Sequence, residues 1–399
     1  MNYKVLLFVS LFAVTLAKAE NWMNRLPDNT YVSELSIPGS HDSATGHGFT
    51  NSLFGLFGDS YAKTQELTIQ QQWDAGIRAF DFRPALYADY INANHGLVPT
   101  KLRFNDALYM LRDLLRDNPS EFVIIHLLHA SEGDDVSDNY GERLLELLNN
   151  PDLRDYFVDF RKDLCVSDLR GKILLLSRDE YATTPVGGFF NNWSGSADWS
   201  NQTGGQIVGP DGNTGRLYMQ DYSDTHGEGG IDTKITSMTR LLKFSTRHKT
   251  TTLNTILWVF NLTSAYSKVD NLFGNEISTS DGYRDNATHT HAAFLDFLAA
   301  ANYVPGPTGI VLMDYAGVDW SGDYYTRGKE MVDKIIENNF LYLNDVTTSI
   351  AADRSTSGSP LTISPSTLTL SGTAVKEARQ GGLYLVNDGN GQVRKMVFR

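Results

Sequence analysis

The sequence predicts an α/β fold with a mainly parallel sheet. Between residues 30 and 345, short strand-like apolar runs alternate with helical patterns, and this alternation is typical of βαβ units. No Gly-x-Gly-x-x-Gly sequence follows an early strand-like run, which disfavours an open sheet that binds a dinucleotide. The pattern leaves two architectures open, a closed barrel and an open, doubly wound sheet.

Seven apolar runs have the length and the residue types of buried strands. In chain order they are Val32–Ile37, Ile77–Phe82, Phe122–Leu128, Lys172–Leu176, Leu217–Met219, Thr255–Phe260 and Gly309–Met313. We expect these runs to form the parallel sheet.

Helical patterns lie between the strand-like runs. The clearest is Asn105–Asp117, in which five apolar residues form one face and Pro119 follows the end of the pattern. Similar patterns cover Arg240–Arg247, Ala292–Ala301 and Gly328–Asn338. These segments are expected to form the helices that cross from strand to strand.

The charge balance and the cysteine count exclude several classes of function. The 399 residues include 47 Asp and Glu against 34 Lys and Arg, a net charge of −13, and one cysteine, Cys165. The negative charge disfavours a protein that tracks nucleic-acid phosphates or that electrostatics alone would hold on an anionic membrane. A lone cysteine excludes a disulfide framework and a Cys-rich metal site, so we expect Cys165 to be a core residue. An enzyme or a binding module remains.

The two ends of the chain differ in composition from the middle. Lys4, the apolar run Val5–Ala17 and the small residues that follow are typical of a secretory signal over residues 1–19, with cleavage after Ala19. We therefore expect a secreted or periplasmic protein. The main domain is expected over residues 20–352, and residues 353–399 are expected to form a Ser/Thr/Gly-rich linker and a short β-rich tail.

Reactive polar residues follow or end successive strand-like runs. They are His41, Asp42, Asp81, Arg83, His95, Arg178, Asp221 and Asp314. In a parallel barrel the carboxyl ends of the strands meet at one mouth, so these side chains could share a pocket. The residue types suit cleavage of a phosphodiester. One histidine can act as base and another as acid, an aspartate can orient the base, and an arginine can stabilise the phosphate charge.

Three of these segments carry a resemblance to a known family. Ser36-Ile-Pro-Gly-Ser-His-Asp-Ser43, Gly76-Ile-Arg-Ala-Phe-Asp-Phe-Arg83 and His95-Gly96 resemble the X domain of phosphatidylinositol-specific phospholipases C, particularly the bacterial single-domain type. The resemblance covers roughly residues 22–345. It implies a distorted TIM-like barrel that cleaves phosphatidylinositol to diacylglycerol and inositol 1,2-cyclic phosphate, because the inositol 2-hydroxyl attacks the phosphorus.

The resemblance also implies a role for each catalytic residue. His41 resembles the general base, and Asp314 resembles the carboxylate that orients it. His95 resembles the general acid, which Asp42 assists. Arg83 resembles the arginine that stabilises the phosphate. Because eukaryotic relatives carry calcium-binding carboxylates in this neighbourhood, an arginine here implies catalysis without a metal ion, and we expect no cofactor.

The headgroup site is implied by the same resemblance, with one departure. Arg178 and Asp221 resemble the residues of the bacterial enzymes that contact the inositol hydroxyls. Where this chain has Leu127-Leu128-His129-Ala130, the bacterial enzymes carry a lysine-rich segment. We therefore expect that one inositol contact is either missing here or replaced by His129. His126 and His129 end one apolar strand-like run, and we expect at most one of them in the pocket.

Apolar residues in two loop-like segments are candidates for contact with a lipid surface. One segment holds Phe49, Leu53, Phe54, Leu56 and Phe57, and the other holds Phe189, Phe190, Trp193 and Trp199. Such side chains would let an acidic protein bind transiently to a membrane that contains phosphatidylinositol. The alternative is that these rings pack beneath long loops. We expect a monomer that binds no nucleic acid.

Other functions and sites were weighed against this interpretation. Glycosyl-phosphatidylinositol anchors and glycerophosphoinositol are alternative substrates, and a non-catalytic module that binds inositol or a glycan is an alternative of another class. A metal-dependent glycerophosphodiesterase would need acidic ligands where Arg83 stands. The run Thr288–His291 precedes a helical pattern and is expected to be its N-terminal cap, because no third ligand is spaced to complete a zinc site there.

Overall fold

The computed structural model describes residues 21–131, 137–179, 186–196, 205–210, 212–272 and 274–343, together with three strands nearer the carboxyl end. The predicted signal segment, most of the acidic run after Ser131, Trp199 and the predicted linker lie outside the described residues. The chain divides into two units, Met1–Ser349 and Ile350–Arg399. Each unit is described by itself.

Fifteen strands lie in the described residues of the first unit. They are β1 (Ser36–Ser40), β2 (Ala79–Leu86), β3 (Ile91–His95), β4 (Val98–Arg103), β5 (Val123–Leu127), β6 (Ile173–Ser177), β7 (Gly188–Asn191), β8 (Gln206–Val208), β9 (Thr214–Gln220), β10 (Leu257–Leu262), β11 (Val269–Leu272), β12 (Asn275–Ser278), β13 (Gly309–Met313), β14 (Trp320–Ser321) and β15 (Tyr324–Tyr325).

Nine α-helices are found in the described part of this unit. They are α1 (Gly58–Tyr61), α2 (Ile69–Ala75), α3 (Phe104–Asp117), α4 (Tyr140–Leu148), α5 (Pro151–Arg154), α6 (Val166–Leu169), α7 (Gly230–Ser245), α8 (Ser280–Ala299) and α9 (Gly328–Tyr342). Short 3₁₀ segments lie at Trp22–Arg25, Val32–Glu34, Ser43–His47, Gly55–Phe57 and Ser137–Asn139. Among the residues that the structure describes, no helix is both long enough and apolar enough to cross a bilayer.

Nine strands close into a barrel. Their order is β1-β13-β10-β9-β8-β7-β6-β5-β2, and β2 pairs back with β1. The pairings are parallel except at β8, which is antiparallel to both of its neighbours. The prediction of a distorted TIM-like α/β barrel is therefore confirmed. The antiparallel strands β3 and β4 extend from β2 and bring His95 to the barrel.

Alternation along the strands separates an inner core from an outer one. The inner cluster contains Ile124, Leu174, Phe260 and Leu312 together with the amino-terminal Trp22. The intervening strand residues join the outer cluster, which packs beneath the helices. Because successive strand side chains point to opposite faces, polar residues in register with the inner set point into the barrel.

Close packing fixes the first strand. A Cβ built on Gly39 would lie 2.6 Å from the side chain of Leu312 and 2.8 Å from the Cβ of Ala79. Only glycine lets β1 approach both neighbours this closely. The strand that carries His41 at its end is thereby held between β13 and β2.

Two local predictions are wrong. The predicted strand Val32–Ile37 begins only at Ser36, because Val32–Glu34 forms a 3₁₀ turn in which Leu35 N–H donates to the Val32 carbonyl. The run Thr288–His291 is not a cap, since it lies inside α8, whose N-cap is Thr279. His291 is fully buried and donates from Nδ1 to the Thr326 carbonyl, so this polar stretch is a packed part of the helix.

The second unit contains three described strands. They are β16 (Thr367–Thr369), β17 (Leu383–Asn387) and β18 (Val393–Val397). β17 pairs antiparallel with both β16 and β18, and the three form a sheet of their own.

Candidate active site

A cavity of about 490 Å³ opens at the carboxyl ends of the barrel strands. Seven of the eight predicted site residues line it, namely His41, Asp42, Arg83, His95, His129, Arg178 and Asp221. The eighth, Asp314, is fully buried and hydrogen-bonded to His41. The structure therefore brings together all eight residues that the sequence predicted for the site.

The cavity has two sides. The two-histidine side consists of His41, Asp42, Asp81, Arg83, His95 and Asp314. The Arg178 side consists of His129, Arg178, Trp193 and Asp221.

His41 follows β1 and is held by carboxylates at both ring nitrogens. Its backbone N–H donates to the Met313 carbonyl, its Nδ1 lies 2.8 Å from Asp314 Oδ1, and its Nε2 lies 3.1 Å from Asp42 Oδ2. Burial by itself lowers the pKa of His41, but the charges of Asp42, Asp314 and Asp81 outweigh it and raise the pKa to about 9. At neutral pH the free enzyme therefore holds His41 as an imidazolium.

Asp42 occupies an unusual backbone conformation. Its φ is +44°, in the left-handed region that aspartate tolerates better than most residues. The side chain is buried, and Oδ2 lies 3.1 Å from His41 Nε2 and 3.5 Å from His95 Nε2. One carboxylate oxygen thus faces the Nε2 atoms of both histidines.

Asp81 is the hydrogen-bonding centre of the two-histidine side. It accepts two bonds of 2.9 Å from the Arg83 guanidinium, one from the Asp42 backbone N–H and one from His126 Nδ1. Burial alone raises the pKa of Asp81, but Arg83 and His126 hold it well below its usual range. Arg83 Nε also lies 3.8 Å from Asp42 Oδ1, so the guanidinium is held between two carboxylates.

His95 ends β3 on the opposite wall. Its Nδ1 lies 2.7 Å from the Ala62 carbonyl, and since a carbonyl only accepts, Nδ1 carries a proton. Nε2 lies 3.3 Å from the Tyr283 hydroxyl. The centroid of the His95 ring is 6.2 Å from that of His41. The two Nε2 atoms, which both lie near Asp42 Oδ2, therefore point to the same region of the cavity.

The Arg178 side is more loosely connected. Arg178 Nη1 lies 3.6 Å from Asp221 Oδ2, and its guanidinium lies 4.8 Å from the centre of the Trp193 ring. The Trp193 indole N–H donates to Asp221 Oδ2 at 2.7 Å. Phe190 packs edge-on against Trp193, and both rings contact Phe260. These two rings therefore pack against the protein, which is the alternative to lipid contact for this segment.

His129 lies at the edge of the cavity. Its ring stacks on Tyr140 with centroids 3.6 Å apart, and its backbone N–H donates to Asp179 Oδ2 at 2.6 Å. Of the two histidines at the end of β5, His129 lines the cavity while His126 is buried beneath it.

The apolar segment that follows His41 includes both exposed and packed side chains. Leu53 is 71% exposed and Leu56 is 69% exposed, whereas Phe54 and Phe57 are half-buried. Phe49 is buried, and a Cβ on Gly58 would lie 2.0 Å from its ring. The two leucines are therefore the part of this segment that solvent reaches most.

Three side chains on the two-histidine side have the spacing to hold a metal ion. The candidate ligand atoms of His41, Asp42 and Asp81 lie within 4.8 Å of one another, and no other such group is found in the described part of the chain. The carboxylate of Asp81 is already the acceptor for Arg83, and Asp42 faces His41. These hydrogen bonds would have to break before the group could bind a cation.

Sequence reasoning missed the roles of four residues in the site. Asp81 was selected at the end of its strand-like run but was given no role, although it precedes Arg83 by two and so shares its face of β2. His126 could have been found from its register opposite Asp81, once the strand order was known. Tyr283 and Trp193 gave no signal, since α8 and the segment after β7 reach the cavity through tertiary packing.

Comparison with known proteins gives related sequences and a related structure. No protein-family model matches the chain. The 1-phosphatidylinositol phosphodiesterase of Staphylococcus aureus strain Newman is 26% identical over 333 residues, which cover 80% of this chain and 94% of that protein. The protein of the same name from Listeria monocytogenes is 32% identical over 166 residues, which cover 40% of this chain and 49% of the relative, about half its length.

A solved structure of the phosphatidylinositol-specific phospholipase C of S. aureus superposes with a TM-score of 0.63 at 23% identity, covering 81% of this chain and 99% of that one. This likeness supports the barrel fold, and in the S. aureus sequence comparison the similarity extends over most of both proteins. The chain is therefore similar in sequence and in fold to bacterial phosphatidylinositol-specific phospholipases C, the family that its sequence motifs resemble.

Proposed function

We propose that this protein cleaves phosphatidylinositol to diacylglycerol and inositol 1,2-cyclic phosphate. The observation that carries the proposal is the convergence of His41 and His95 on one region of the cavity, with Arg83 beside them. Two imidazoles and a fixed guanidinium supply a base, an acid and a positive charge around a single phosphorus position.

His41 is the general base of this proposal. Because Nδ1 is engaged by Asp314, Nε2 is the nitrogen that takes the proton of the inositol 2-hydroxyl. In the free enzyme Nε2 faces Asp42. The base becomes active only after this nitrogen has lost its proton.

His95 is the general acid. Nδ1–H donates to the Ala62 carbonyl, so the acid is the imidazolium form of His95, and the proton that can be transferred is the one on Nε2. The inositol 2-oxygen forms a bond to phosphorus, the bond from phosphorus to the glycerol oxygen breaks, and Nε2–H protonates that oxygen. His41 takes one proton and His95 gives one, so the step leaves the total protonation of the site unchanged.

Arg83 stabilises the charge on the non-bridging phosphate oxygens. Its hydrogen bonds to Asp81 hold the planar fork in one orientation, which supports catalysis without a metal ion. Arg178, Asp221 and His129 are proposed to contact the inositol hydroxyls, because they line the far side of the same cavity.

The exposed leucines support contact with a lipid surface. Leu53 and Leu56 lie on the segment that leads to Ala62, whose carbonyl holds His95, so this apolar segment is connected to the cavity wall. Apolar side chains can enter the interfacial region of a bilayer without a basic patch. We further propose a secreted or periplasmic monomer with a signal over residues 1–19.

The test is the release of product from phosphatidylinositol vesicles, followed by phosphorus NMR with and without EDTA. The expected first product is the five-membered cyclic phosphate, and its rate of release should be the same with and without EDTA. His41→Ala should abolish release, whereas His289→Ala, which changes an exposed histidine of α8, should not. Turnover that is absent from phosphatidylinositol but present on glycerophosphoinositol, or that EDTA abolishes, would contradict the proposal.

A further inference from the structure

His126 is a buried histidine to which the proposed mechanism gives no role. It is the fourth of the five residues of β5, is 1% exposed, and is directly opposite Asp81 of β2 in the parallel register. On the other neighbouring strand, β6, the residue opposite it is Leu176. A polar ring buried at such a position is costly unless it is hydrogen-bonded.

The hydrogen bond goes to the carboxylate that holds Arg83. His126 Nδ1 lies 2.7 Å from Asp81 Oδ1, and the low pKa of Asp81 makes that oxygen an acceptor, so Nδ1–H donates. Burial lowers the pKa of His126, which keeps the ring neutral. Nε2 is buried and has no hydrogen-bond partner among the described residues, so the Nδ1–H bond is the polar contact that fixes the ring.

Aromatic rings hold His126 on its other sides. Its ring centroid lies 5.0 Å from Trp193, 5.5 Å from Phe190 and 6.3 Å from Phe260. These contacts prevent the imidazole from turning away from Asp81. They also connect it to Trp193, whose indole N–H donates to Asp221.

Each oxygen of Asp81 is anchored by one group besides Arg83. The Asp42 backbone N–H donates to Oδ2, and His126 donates to Oδ1. If the His126 bond is removed, Oδ1 keeps only its bond from Arg83 Nε. The carboxylate and the guanidinium can then turn together about the remaining anchor.

We propose that His126 is a positioning residue that fixes the Asp81 carboxylate and, through it, the orientation of Arg83 toward the phosphate. The inference rests on the proposed function, because it assigns to Arg83 the stabilisation of a phosphate. It adds a residue from β5 to the two-histidine side, whose other residues lie on or directly after β1, β2, β3 and β13.

The experiment compares three substitutions in the full-length enzyme. In His126→Asn the side-chain amide N–H lies near the position of Nδ1, in His126→Gln it lies near Nε2, and His126→Leu has no donor. The expected result is that kcat on phosphatidylinositol falls by about 10- to 100-fold in the Leu and Gln variants, with KM changed by less than about twofold, because Arg83 is misplaced. The Asn variant should keep kcat within about threefold of wild type.

Two further measurements separate positioning from a purely structural role. Thermal unfolding of each variant shows whether the fold is retained. In an Arg83→Lys background, His126→Leu should cause little further loss, because a residue that acts through Arg83 is not additive with its removal.

Equal losses in the Asn and Leu variants, full additivity with Arg83→Lys, or wild-type kcat in His126→Leu would overturn the inference. A wild-type enzyme that releases no cyclic phosphate would instead refute the proposed function itself.

Discussion

The two sides of the cavity differ in how firmly their side chains are held. On the two-histidine side, Asp81 accepts four hydrogen bonds, and His41 is engaged at both ring nitrogens. On the Arg178 side, the central ion pair between Arg178 and Asp221 is 3.6 Å long. The groups proposed for the chemistry are therefore fixed before substrate binds, whereas those proposed for the headgroup leave room for adjustment.

Among the substitutions that compare the two sides, the largest effect is expected at Arg83, the most constrained group. Arg83→Lys keeps the positive charge but removes the planar fork that bonds both oxygens of Asp81. We expect kcat to fall by about 10²- to 10³-fold, because a fixed donor to the developing charge is lost. Steady-state kinetics on phosphatidylinositol vesicles measures this, and a loss of less than about threefold would show that the fork is not used.

The pH profile tests the electrostatics of the same side. A general base must be unprotonated, and the carboxylates around His41 raise its pKa to about 9. On an inositol phosphate ester of p-nitrophenol, whose leaving group needs no proton from His95, kcat/KM of the wild type should therefore increase up to about pH 9 and fall about tenfold per pH unit below it.

The control for this profile is Asp314→Asn, which removes one of the charges that stabilise the imidazolium. The rising limb should move to lower pH, even though the maximal rate also falls because the base is less well oriented. A limb that does not move would mean that another group controls the profile.

A smaller effect, and one of a different kind, is expected on the Arg178 side. Asp221→Asn weakens the contact with Arg178 while the amide can still accept from Trp193. We expect KM to rise about tenfold with kcat changed little, because this side binds the headgroup before and during the reaction. A fall in kcat at constant KM would erase the distinction between the two sides.

The smallest effect on chemistry is expected at the exposed leucines. Leu53→Ser with Leu56→Ser should lower binding to phosphatidylinositol vesicles by about tenfold, as expected when about two large apolar side chains no longer enter the bilayer. Turnover of a water-soluble inositol phosphodiester should stay within about twofold of wild type. Sedimentation with vesicles and a soluble assay separate the two, and equal losses in both would point to damage in the cavity.

Much of the fold could be predicted because the barrel strands are continuous apolar runs. The prediction for β13 has the observed bounds, and that for α3 differs by one residue at its start. The first half of α8 was missed because its polar residues form no apolar stripe. They are buried through hydrogen bonds instead, such as that from Asn286 Nδ2 to the Thr263 carbonyl.

The site could be predicted where strand ends supplied the residues. All eight selected side chains meet at or directly beneath the cavity, because a parallel barrel brings its strand ends together. His126 and Tyr283 could not be assigned, since one lies inside an apolar strand and the other on a helix. Their contacts with Asp81 and His95 depend on a packing that no local pattern encodes.

His41 is proposed to act as the general base and His95 as the general acid, and two substitutions assayed on two substrates separate these roles. His41→Ala and His95→Ala are each assayed on phosphatidylinositol and on an inositol phosphate ester of p-nitrophenol, whose leaving group needs no protonation. We predict that His95→Ala loses about 10²-fold or more on the lipid but less than about tenfold on the activated ester, whereas His41→Ala loses similarly on both. Two results would contradict these roles. One is an equal loss of activity for both variants on both substrates, and the other is a recovery of activity on the activated ester by His41→Ala alone.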